Sequence, residues 1–126
     1  MKNLFLALVL LLSSSAYANW QPYYRSSEAE DLFDPNFVSR DSALVRVWTL
    51  TNFSKVMTTL EGTDYYSEKM LTAVDCIKRA SGAERVTRYA GKNAQGSEVG
   101  VMETRLRWVA IKPGSQDEAL LMAVCR

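Results

Sequence analysis

The chain has 126 residues, with 15 Lys and Arg against 14 Asp and Glu, and it contains no histidine. Without histidine, Ser-His and Cys-His nucleophile pairs and imidazole metal ligands are excluded. A formal net charge of +1 argues against bulk electrostatic capture of nucleic acid or of an anionic membrane.

The first 18 residues, MKNLFLALVLLLSSSAYA, have the three parts of a secretory signal peptide. Lys2 supplies the positive start, Leu4 to Leu12 the apolar core, and Ala16-Tyr17-Ala18 the small-x-small cleavage site. The core falls well short of the roughly 20 residues that span a bilayer, so no transmembrane segment is expected and an uncleaved anchor is the lesser reading. Cleavage leaves one domain of 108 residues, 126 less the first 18, beginning at Asn19. Losing Lys2 brings the charge to 14 basic against 14 acidic residues. No cysteine follows the cleavage site before Cys76, so a lipoprotein is disfavoured and a periplasmic or secreted protein expected.

NWQPYYRS (19–26) reads as an edge strand, where Pro22 is tolerated. SSEAEDLFDPNFVSRD (26–41) reads as a polar connection with a short strand or turn at its centre. Its Glu28, Glu30, Asp31 and Asp34 lack the spacing of a calcium loop and read as a solvated acidic stretch. SALVRVWTLTNF (42–53) has the Val, Thr, Trp and Leu content of a strand. After a turn at Glu61-Gly62, DYYSEKMLTAVDCIKR (64–79) is a second strand, with Met70, Thr72, Val74 and Cys76 on one parity. ERVTRYA (84–90) follows a turn at Ser81-Gly82. GKNAQG (91–96) is a Gly/Asn turn that lacks the Lys-Ser/Thr ending of a phosphate loop. SEVGVMET (97–104) and RLRWVAI (105–111) complete the strands. Ser115-Gln116-Asp117-Glu118 fits a helix-starting capping box, after which Leu120, Leu121, Val124 and Cys125 share one stripe.

An exported chain with two cysteines has one intramolecular pairing, Cys76 to Cys125. Their separation fits neither a zinc site nor a C-x-x-C redox pair. In the chain-entropy model a loop of this length contributes about 4 kcal/mol. The expected fold is therefore α+β: an antiparallel sheet of about six strands with a C-terminal helix packed on one face and disulfide-linked to it.

Lys78, Arg79, Arg85 and Arg88 flank one turn and read first as a solvated charged face that keeps the sheet soluble. The lesser reading is a patch, gathered by strand pairing, for acidic protein segments or sulfated polysaccharide. Trp20, Tyr23, Tyr24, Tyr65 and Tyr66 read first as sheet and edge packing, with a recognition patch as the alternative. No catalytic, metal or cofactor constellation is apparent, and no G-x-S-x-G elbow is present.

The order VRVWTLTNF, YYSEKMLTAVDCIKR, a strand ending in Tyr89, then RWVAIKPGSQDEALLMAVC resembles the surface-adhesin E family of Gram-negative bacteria, from about Trp20 to the C-terminus. The most specific residues are Trp48, Ser67, Asp75-Cys76, Trp108, Pro113-Gly114-Ser115 and Cys125. The resemblance implies a six-stranded sheet with a disulfide-linked C-terminal helix. It also implies a non-enzymatic, homodimeric adhesin for host matrix proteins such as vitronectin or laminin. The alternative is a periplasmic domain with an endogenous protein or small ligand as partner.

Overall fold

The computed structural model describes residues 19–126; the expected signal peptide lies outside them. Alternation along one long strand organises the rest. In β3 (Leu44–Thr58), Val45, Val47 and Thr49 are buried on one face, while Arg46 and Trp48 point to the other. Antiparallel neighbours extend from it in both directions: β2 (Ala29–Asp41) and β1 (Gln21–Arg25) on one side, β4 (Asp64–Asp75), β5 (Ala80–Tyr89) and β6 (Glu98–Glu103) on the other. The two-residue β7 (Val109–Ala110) pairs with the start of β5, beyond the point where β6 stops.

The helix α1 (Gln116–Val124) lies on the face that carries Val45, Val47 and Val74. Leu120, Leu121 and Val124 are its buried residues, each contributing about 1.5–3 kcal/mol through burial. Partly buried Tyr23 and Phe33 pack on the same core, with their rings edge to face. The Ser115 hydroxyl caps the helix by accepting the Glu118 N–H at 3.3 Å. Glu118 reaches back to the Gly114 N–H rather than to that of Ser115, and its other oxygen pairs with Arg79 at 2.9 Å. At the far end Arg40 donates to the Val124 carbonyl, and Cys125 bonds Cys76 across 5.6 Å between Cα atoms. Both ends of a nine-residue helix, too short to persist alone, are thus held to the sheet.

Three expectations about the elements need correction. Residues 26–41 are no connection: 13 of them form β2. Its polar side chains find partners that the local sequence does not reveal. Glu30 pairs with Arg25 on β1, Asp31 accepts from Thr51 on β3, and Asp34 accepts the Asn36 N–H. Asp31 and Asp34 are buried rather than solvated. Pro35 falls in the register break between Phe33 and Val38, where the missing N–H costs no ladder bond.

The turn before β5 lies at Cys76–Arg79, not at Ser81-Gly82. The Asp75 carboxylate accepts the Ile77 and Lys78 N–H groups and bends the chain there. Gly82 sits inside β5 because the 104–108 segment passes over it: a Cβ would lie 2.6 Å from Leu106 Cδ1 and 2.7 Å from the Arg107 carbonyl oxygen. That crossing also explains why only Val109–Ala110 of the expected strand 105–111 pairs with the sheet.

Asp31 is only 3% exposed. Burial raises its pKa above the ordinary 3.8; the Thr51 hydrogen bond opposes the rise, and the charge of Asp117 adds to it. The sign follows: a raised folded pKa favours the fold while the group is protonated, and that contribution is lost as pH climbs through the folded value. Asp31→Asn keeps an acceptor for Thr51, so its melting temperature at pH 7 is expected to exceed that of the parent. The gap should narrow as pH falls towards 3.8; a gap independent of pH contradicts the assignment. Cys125→Ala is expected to lower the melting temperature by roughly 15 °C or more, the scale of losing a 49-residue cross-link from a small domain. A change within about 3 °C would mean that packing alone holds the helix.

Candidate functional site

Among the described residues no helix covers the face opposite α1. Strand pairing sets Trp48, Leu71, Arg85 and Glu103 side by side across β3, β4, β5 and β6. Phe37, Ser39, Arg46 and Trp48 border a shallow hollow of about 320 Å³ together with Leu71. Phe37 is 61% exposed. The Lys69 ammonium stands over the Trp48 ring, 4.6 Å from its centroid, in a cation–π contact. The Arg46 Nε–H is shared between both carboxylate oxygens of Glu84, each at 3.1 Å. Arg85 lies 4.0 Å from Glu103, with both side chains largely in water, so this pair contributes little and leaves the guanidinium available. The result is an open patch of aromatic, aliphatic and cationic side chains on a rigid sheet, the composition that anchors protein interfaces.

One end of this face is closed by the β5–β6 turn folding back. The fully buried Ser67 hydroxyl donates to the Gly91 carbonyl at 2.6 Å and accepts the Ala94 N–H at 3.0 Å. Asn52 bonds Asn93 through both side-chain and backbone groups. Asn93 and Ala94 both take positive φ in this turn, a conformation that those anchors hold in place.

The four basic residues expected to act together are spread out. Lys78 and Arg79 sit on the β4–β5 turn, Arg79 being engaged with Glu118. Arg85 is on the open face. Arg88 is on the helix face, 3.4 Å from Glu68 and with its guanidinium carbon 4.9 Å from the Tyr65 ring centroid. Of the five aromatics considered for recognition, Tyr23 and Tyr65 are packed, Tyr65 against Phe53. The open-face residues Phe37, Lys69 and Leu71 were not identifiable from the sequence, since their proximity to Trp48 depends on register.

Among the described residues no group of three or more Cys, Asp or Glu is arranged to hold a metal ion. No described helix is long and apolar enough to cross a membrane.

No curated protein matches the chain in sequence. Its fold is similar to that of Haemophilus influenzae protein E, at 14% identity and a TM-score of 0.64 over 82% of this chain and 88% of that one. A second crystal form of that protein gives 13% identity and a TM-score of 0.66, covering 82% and 91% of the two chains. Protein E from non-typeable Haemophilus influenzae gives 12% and 0.67, covering 89% and 78%. At such identities the likeness establishes the shared architecture. The sequence pattern described as surface-adhesin protein E matches residues 20–126, so the chain belongs to the surface-adhesin protein E family.

Proposed function

We propose that this chain is an exported, non-enzymatic binding module that captures host extracellular-matrix protein through the open face of its sheet. The observation that carries the reading is the patch formed by Phe37, Trp48, Leu71 and Arg85, which lies on a sheet whose other face is occupied by α1. Membership of an adhesin family supports a role in protein capture; vitronectin and laminin, implied by the resemblance, are the candidate partners. Arg85 is the member of the four-residue basic set that stands in this patch. Lys78 and Arg79 border the sheet at the β4–β5 turn and add long-range attraction for an acidic partner. Arg88 faces the other way and plays no part in the contact.

This assignment separates the arginines. Trp48→Ala with Arg85→Ser is expected to weaken capture of immobilised vitronectin or laminin by about tenfold or more, as removal of an aromatic and an arginine anchor does. Arg88→Ser should leave capture within about twofold. Equal losses from the two variants, both folded, would remove the open face from the reading. If the parent protein captures neither protein, the periplasmic alternative stands in its place.

Export itself is tested by mass. Protein recovered from the cell envelope should begin at Asn19, after cleavage behind Ala18. Recovery of the full chain would support an N-terminal anchor, and confinement to the periplasm would rule out an adhesin.

A further inference from the structure

The helix covers only part of the face on which it lies. Beyond its first turn two hollows, of about 730 and 350 Å³, share Asp31, Thr51, Met70 and Gln116 along their walls. They form one groove across the sheet in front of Gln116, independent of the open face.

Asp31 stands at the middle of the groove. One of its oxygens accepts from Thr51 at 2.7 Å, and the other has no protein donor. Among the described residues no buried side-chain nitrogen or oxygen lacks a partner, so that second oxygen is reached from the groove. A carboxylate whose body is buried and whose one open oxygen faces a groove gains from a charged donor that reaches that oxygen. The groove supplies no such donor. Lys55 and Arg107 are exposed at opposite ends, and Arg88 is engaged by Glu68. The positive pole of α1 does not favour an anion here either, because Asp117 stands in its first turn and Ser115 and Glu118 take up its leading N–H groups. From Asp31 the wall continues past Met70 and Glu68 to Phe53 and Met57, so apolar side chains alternate with the carboxylates of Glu28 and Glu68, a lining suited to a short carbon chain that carries a positive charge.

We propose that this groove binds an alkyl ammonium ion, with the charge on Asp31 and the chain along Met70 towards Phe53 and Met57. The ammonium belongs either to a free amine or to a lysine side chain of a protein partner, and the two share the same chemistry at Asp31. Methyl and amide NMR spectra of the disulfide-intact protein, titrated with 1-pentylamine, 1-pentanol and Nα-acetyl-lysine-N-methylamide, test it. Saturable shifts of the Met57 and Met70 methyls and the Thr51 amide are expected with pentylamine and not with pentanol. Response to the lysine derivative as well assigns the groove to protein lysines, and response to pentylamine alone assigns it to free amines. Asp31→Asn should weaken pentylamine binding by about tenfold or more, the scale of a lost charge-assisted hydrogen bond. Met70→Trp, which keeps Asp31 and fills the groove, should abolish binding and serves if the first variant does not fold. Equal shifts with pentanol, no saturable response up to about 20 mM pentylamine, or undiminished binding by whichever variant folds, would overturn the proposal.

Discussion

The bond between Cys76 and Cys125 fixes what each face of the sheet can do. It joins the turn after β4 to the residue that ends α1, so the last turn of the helix cannot lift away. A helix this short gains little from its own hydrogen bonds and depends on docking. With the cross-link in place, Leu120, Leu121 and Val124 stay on Val45, Val47 and Val74. Arg40 and Arg79 then hold the two ends through the Val124 carbonyl and Glu118. The cost of ordering a chain terminus is offset by burial that the cross-link makes permanent.

A sheet closed on one face leaves the other for contact. Antiparallel sheets tolerate such asymmetry because each strand can alternate apolar and polar side chains. Here the open face is not simply polar. Trp48, Leu71 and Phe37 stand among Arg46, Lys69 and Arg85, and Arg46 and Lys69 are engaged by intramolecular partners, Glu84 and the Trp48 ring. Such pre-ordered side chains lose less entropy when a partner arrives. The groove beside Asp31 lies on the helix face beyond the first turn of α1, and its chemistry differs: buried Asp31 with Glu28, Glu68, Met70, Phe53 and Met57, rather than a broad cationic and aromatic surface.

Local signals in the sequence were legible and distant ones were not. The capping box at Ser115 and Glu118 spans three residues and was found, as was the Gly62 turn, whose φ of +84° suits glycine. The cysteine pairing followed from export and an even count. β2 was missed because Asp31 meets its partner Thr51 twenty residues later, so its polarity read as solvation. Gly82 read as a turn, although it is a clearance for the backbone crossing above it. That Arg85 and Arg88 do not share a face is legible in the sequence: they are three apart, and an odd separation in a strand puts them on opposite faces. The aromatic and cationic cluster at Trp48 depends on register across four strands, which no single strand encodes.

Hydroxyl-radical footprinting of the oxidised and reduced protein tests the division of faces most directly. With the disulfide intact, Phe37 on the open face should be modified readily, and Leu120, Leu121 and Phe33 beneath or on the helix should be protected. Reduction should raise modification of Leu120, Leu121 and Phe33 while leaving Phe37 as it was. Protection of Phe37 in the oxidised protein, or helix-face residues whose labelling ignores reduction, would contradict an account in which the Cys76–Cys125 bond closes one face and leaves the other open.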